Sequence, residues 1–142
     1  MYTKQTAGVF RRLAAGTYDL LLLIAVWMFL TLLIVVVDGG KAIPSGNPAY
    51  QLLLLLTAAF FFVTSWLRGG QTLGMRAWRL KVERQSGAPL DLKTGGIRFA
   101  AGVVSVLSCG LGLFWLWIDR DALTWHDRLA GTRVVLLPRR KP

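Results

Sequence analysis

The chain has 142 residues, about the length of one domain. With 54% hydrophobic and 17% charged residues and a mean hydropathy of +0.50, it is too apolar for a water-soluble protein of that size. The formal charge of +10 would point to nucleic acid on a soluble protein. Here no basic stripe carries an RNA-binding or helix-turn-helix pattern, and Lys and Arg flank long apolar runs, where they set topology and meet anionic headgroups for about 1 kcal/mol each. Disorder, coiled coil, nucleic-acid binding and soluble enzyme are set aside. The expectation is a small integral membrane protein, residues 1–142 forming one unit.

The first apolar run covers residues 13–37, with Asp19 as its one ionisable residue; its 25 positions reach roughly 37 Å as a helix, more than a hydrocarbon core of about 30 Å. Its uncharged part, residues 20–37, is too long for the apolar region of a cleavable signal, so a retained anchor helix is expected. A linker over residues 38–49 holds Gly39, Gly40, Pro44, Gly46 and Pro48, which break any continuing helix. The second run, residues 50–67, has 18 residues and no charge, with Tyr50 and Trp66 near its ends at headgroup level. Together the two predict a helical hairpin.

The third run, residues 97–118, contains Arg98 near its start and Trp115 and Trp117 near its end. Gly102, Ser105, Cys109 and Gly112 fall at helical spacing and predict one small-residue face on which another membrane helix, of a second copy or of another membrane protein, could pack closely. Gly110 and Gly112 equally suit a break in the segment. The lone Cys109 has no internal disulfide partner and is read as a small packing residue.

Topology is counted from Lys and Arg. Three precede the first run (Lys4, Arg11, Arg12), one lies in the linker (Lys41) and six lie in residues 68–96, which puts the amino terminus and the 68–96 loop on the cytoplasmic side. Six more follow the third run (Arg120, Arg128, Arg133, Arg139, Arg140, Lys141), on what three crossings would make the outside. A third segment broken near residues 110–112, entering the membrane and returning, removes the conflict. So does a pairing of strand-like segments: residues 79–83 alternate at period two, 85–89 read as a turn, and 131–137 are β-branched. Such a ribbon requires both segments, and the basic tail of residues 119–142, on the cytoplasmic side. The expected fold class is all-α transmembrane: a hairpin plus a third helical segment, straight or broken and re-entrant, with a small cytoplasmic β-ribbon-like element.

Arg12 and Asp19 are seven residues apart, on nearly the same helix face and roughly 10 Å apart along the axis, too far for direct contact without a third group. A carboxylate inside the core costs at least ~2.5 kcal/mol and seeks a cation, water or a proton. The alternative is that residues 20–37 cover the core by themselves and leave Asp19 at the interface. After the third run, Asp119, Arg120, Asp121, His126, Asp127 and Arg128 crowd together, but no nucleophile accompanies them. His126 has no second ligand at a metal spacing, so neither metal nor cofactor is expected.

Three motifs in order, Arg11-Arg12-Leu13-Ala14 leading to Asp19, Gln71-Thr72-Leu73-Gly74-Met75-Arg76, and His126-Asp127-Arg128-Leu129-Ala130-Gly131-Thr132-Arg133-Val134-Val135, resemble the RDD family of small membrane proteins over nearly the whole chain. That family is named for one Arg and two Asp, the Arg opening the first helix and the first Asp lying within it. The resemblance maps these onto Arg12 and Asp19, and the second Asp onto Asp127, with Asp119 as the other choice. It supports a cytoplasmic 72–84 segment and a strand-like 131–137, and it supplies no activity.

Arg12, Asp19 and Asp127 are therefore the expected polar cluster, with Asp119, His126 and Arg128 as secondary members. No Gly-x-Ser-x-Gly, His-Glu-x-x-His or phosphate-cradling loop is present, so no enzyme is expected. The expected function is a structural lock or partner-binding module in the bacterial cytoplasmic (inner) membrane, multi-pass, touching anionic headgroups on the cytoplasmic side. The alternative is cation or proton transport with Asp19 as the binding carboxylate.

Overall fold

A computed structural model describes residues 5–138 of the chain. Lys4, Arg139, Arg140 and Lys141, which enter the charge count above, lie outside the described residues.

Two helices are long and apolar enough to cross a membrane, α1 (Val9–Val37) and α2 (Pro48–Gly69). α1 opens four residues before the apolar run. Its buried positions, Val9, Arg12, Ala15, Asp19 and Leu23, recur at spacings of three and four, so they form one stripe at its amino-terminal end. That stripe holds two ionisable residues, while large apolar side chains such as Phe10, Leu21, Met28 and Val37 face outward. This is the reverse of a soluble amphipathic helix, whose apolar stripe faces the core. α2 begins at Pro48, whose fixed φ suits the first helical position, after Asn47 accepts a hydrogen bond from the Tyr50 amide. Where α1 and α2 meet, the Thr31 and Tyr50 hydroxyls are 2.6 Å apart and the Trp27 indole donates to the Leu54 carbonyl.

Residues 68–96 are built, not a plain loop. Gly70, left-handed at φ +68°, ends α2; then come the short helix α3 (Leu73–Ala77), strand β1 (Leu80–Arg84) and the start of α4 (Leu92–Leu107), capped by Asp91 accepting from the Thr94 amide. Residues 119–138 hold helix α6 (Trp125–Ala130) and strand β2 (Thr132–Leu136). β1 and β2 pair antiparallel, Leu80 facing Leu136 and Arg84 facing Thr132, and the pair Glu83–Arg133 is joined across the strands by a salt bridge of 2.6 Å. The segment before α1 extends this ribbon: the Leu136 amide donates to the Gln5 carbonyl and the Ala7 amide to that of Val134. Ala7, Ala15, Trp66, Leu80, Val82 and Val134 make the core, with Phe62, Met75 and Phe99 packed against it. The amino-terminal end of α1, the end of α2, the ribbon and α4 thus converge in one place.

The third apolar run is not one straight helix. α4 starts at Leu92 and stops at Leu107; Cys109 and Gly110 turn left-handed (φ +57° and +79°), and α5 (Leu111–Phe114) with a 3-10 turn (Trp115–Trp117) leaves at 105° to α4. This corrects the small-residue face as a single stripe. A Cβ on Gly102 would meet nothing within 4 Å and Cys109 is exposed, whereas Ser105 and Gly112 lie against each other across the break. A Cβ on Gly112 would run into the Ser105 side chain and come within 3.0 Å of the Trp125 ring, so only glycine lets α5 fold back onto α4. Gly112→Ala is expected to lower stability by about 1–3 kcal/mol through overpacking, read as a drop in the thermal unfolding midpoint in detergent; Gly102→Ala, with open space around it, should leave that midpoint in place.

Candidate functional site

The polar centre forms around α6. Thr124 and Asp127 are a capping box: the Thr124 side chain accepts from the Asp127 amide, and the Asp127 carboxylate accepts from the Thr124 amide at 3.2 Å. The box fixes the Asp127 carboxylate, which is fully buried. Arg12 of α1 reaches its Oδ2 at 2.5 Å, and Arg98 of α4 pairs with its Oδ1. Each arginine is anchored again. Arg12 Nε donates to the Ala7 carbonyl at 3.0 Å; Arg98 donates to the Thr132 hydroxyl of β2 at 2.7 Å and lies over the Trp66 ring of α2, 5.0 Å from its centroid. One carboxylate thus ties together α1, α4 and α6, and through Arg98 reaches α2 and β2.

Two guanidiniums face one carboxylate, so the clasp carries an excess positive charge away from water. Among the described residues, Arg12 Nη2 and Arg98 Nε find no acceptor. Burial pushes the Asp127 pKa up, but Arg98 and Arg12 outweigh it and hold the carboxyl well below its ordinary range. The neighbouring His126, half-buried with its Nδ1 sealed and unpartnered, is pushed down from 6.5 to about 3, by burial first and then by Arg98. Its imidazole is neutral at neutral pH. Among the described residues no group of three His, Cys, Asp or Glu is gathered to hold a metal.

Asp19 stands apart from this clasp. Its carboxylate accepts from the Thr72 hydroxyl at 2.5 Å and from the Gly74 amide at 2.9 Å, in the first turn of α3. Thr72 also caps that helix, accepting from the Met75 amide. The expectation of a cationic partner for Asp19 is corrected: its partners are neutral donors, because α3 crosses α1 so closely that a Cβ on Gly74 would collide with the Ala15 carbonyl. No contact joins Asp19 to Arg12 or Asp127 among the described residues. Arg128 and Asp119 also leave the cluster. They pair with each other away from Asp127, the exposed Asp121 joins Arg128 at 3.3 Å, and the Asp119 side chain, largely covered, accepts from the Leu123 amide.

Arg98, Thr72, Gly74, Thr124 and Thr132 are site residues that spacing and charge did not single out. Arg98 had a signal: an arginine inside an apolar run is costly unless paired. The Thr124-x-x-Asp127 spacing is also readable, as a capping box.

A mostly helical chain with two apolar helices of spanning length, along which large apolar side chains face outward, is of the membrane-protein type. Within that class, the model of the RDD family matches residues 6–131, and the chain belongs to the RDD family. No curated protein and no solved structure matches it.

Removing the carboxylate while keeping its shape, in Asp127→Asn, leaves two buried guanidiniums without a counter-charge and is expected to cost about 3–5 kcal/mol. Arg98→Gln leaves a neutral one-to-one Arg12–Asp127 pair and should cost less. Chemical denaturation in micelles checks the order; equal losses would refute the charge accounting. The pH dependence follows from the same groups. With His126 half-buried and neutral, the protein loses stability relative to the unfolded chain as pH falls below 6.5, and Asp127 adds its own loss only below the ordinary carboxylate range of about 4. His126→Asn is expected to flatten the upper part of the acid transition in a pH series of unfolding midpoints and leave the lower part.

Proposed function

We propose that this chain is a membrane-embedded module, without catalysis, in which α1 and α2 cross the bilayer and the Arg12–Arg98–Asp127 clasp locks the later segments of the chain against the head of α1. The observation that carries it is the fully buried Asp127 held by arginines from two separate helices. Breaking one partner of such a buried group is strongly destabilising, so it suits a fastening better than a site that must open. At 29 residues α1 extends about 43 Å, long enough to span a ~30 Å core with its first turns outside.

The hydrogen-bonded ribbon supports the orientation. Residues 5–7, β1 and β2 are paired with one another, and paired strands lie on one face of a bilayer. With residues 68–96 and the tail then on the same side as the amino terminus, the basic residues collect on one face, which the positive-inside rule makes cytoplasmic. We assign the module to the bacterial cytoplasmic membrane, its basic face against anionic headgroups and its exposed helix faces available to lipid, a second copy or another membrane protein.

One observation favours a second reading. Asp19 is a buried carboxylate whose contacts are neutral donors, the setting in which a proton or cation carrier operates. The two readings separate in one set of measurements. On the lock reading, Asp127→Asn lowers membrane abundance several-fold, while proteoliposomes of the native chain show the cation and proton flux of empty vesicles. Flux above that background which Asp19→Asn abolishes overturns the lock and establishes transport.

A further inference from the structure

Beyond Arg98 the chain forms an apolar lobe. Val106 and Leu107 are 76% and 79% exposed, and Leu111, Trp117 and Ile118 are 57%, 64% and 72% exposed. Val106 and Leu107 are adjacent on a helix, so they point about 100° apart; the tip is uncovered on several sides at once. Its length fixes how deep it reaches. Leu107 lies nine residues past Arg98, about 14 Å along the axis, and α4 as a whole is about 24 Å long, short of a ~30 Å core. At the turn the chain leaves α4 at 105° and folds back, Gly112 against Ser105. Asp119, Arg120 and Asp121 follow directly, and α6 returns to Arg98 through Asp127.

Most amides of the turn are bonded within it. The amides of Ser108, Cys109, Gly110, Leu111, Leu113 and Phe114 all donate to carbonyls within residues 104–110, and the Ser108 hydroxyl donates to the Val104 carbonyl. Backbone in hydrocarbon requires such internal bonding, because no water is there to supply it.

We propose that residues 104–118 form a wedge inserted into one leaflet only, the leaflet on the side of the β1–β2 ribbon, with Cys109 near its tip among acyl chains and Trp115 and Trp117 at headgroup level. The partner is the acyl region of that leaflet. A convex tip uncovered on several sides would need a deep recess in a protein partner, whereas lipid chains conform to it. The Asp119–Arg128–Asp121 group, in which Arg128 and Asp121 are exposed, marks the headgroup level at which the wedge ends. Arg98, paired and buried, marks its other edge.

The inference rests on the reading that α1 and α2 cross a bilayer, and the test separates the two. Cys109 is the chain's single cysteine and is exposed, so the native protein takes one nitroxide label. It is reconstituted into phosphatidylglycerol–phosphatidylethanolamine vesicles and floated on a density gradient. Failure to float with lipid overturns the spanning reading, and the wedge with it. For floated protein, power saturation is expected to show collisions with oxygen several-fold above those with a nickel chelate, and the spectrum should lack spin–spin broadening. In intact vesicles a membrane-impermeant maleimide is expected to leave unlabelled Cys109 unmodified from both faces, and to modify it after detergent is added. Chelate access equal to that of a free label in water overturns the wedge, as does maleimide reaction from the face opposite the ribbon. Strong spin–spin broadening overturns it in favour of a second copy covering the lobe.

Discussion

A carboxylate sealed from water between two guanidiniums is the constraint on which the packed end of this protein depends. An isolated arginine buried there would lack water to solvate it, and two of them side by side would repel. Asp127 removes both difficulties because each of its oxygens takes one arginine while its capping box holds the carboxylate in place. The geometry also decides which groups are interchangeable. Losing either arginine leaves a neutral pair, whereas losing the acid leaves two buried cations with no counter-charge.

Asp127 and Asp19 each serve the first turn of a helix too short to be stable by itself. Asp127 closes the box that starts the six-residue α6, and Asp19 accepts the Thr72 hydroxyl and Gly74 amide that start the five-residue α3. Free amides at a helix start favour negative charge. In one case the carboxylate belongs to the helix it starts, and in the other it is lent by α1. The two acids look alike in sequence but have different electrostatic company, cations around Asp127 and neutral dipoles around Asp19.

Hydropathy made the two long helices legible, with ends displaced by only a few residues, and Asn47-Pro48 and Gly70 mark those ends in the letters themselves. The pairing of residues 79–83 with 131–137 could also be read, because alternation at period two and β-branching are local signals. The centre could not be read in the same way. Arg12 and Asp19 share a helix face, and helical spacing suggested partnership, but the real partners come from Asp127 and from Thr72 with Gly74, tens of residues away. Small residues at helical spacing likewise suggested one face from Gly102 to Gly112. A positive φ at Cys109, which side-chain spacing does not report, breaks that face between its third and fourth members.

The 115 residues that separate Arg12 from Asp127 also set an order of events at the ribosome. At about 5–20 residues per second, the acid emerges some 6–23 s after the arginine it neutralises. Until then the leading helix presents an unsatisfied cation, and residues 5–7 wait for a strand that has not been made. The earliest-made and latest-made parts of the described chain therefore close against each other last, and the first helix takes its place before the acid that fastens its head exists.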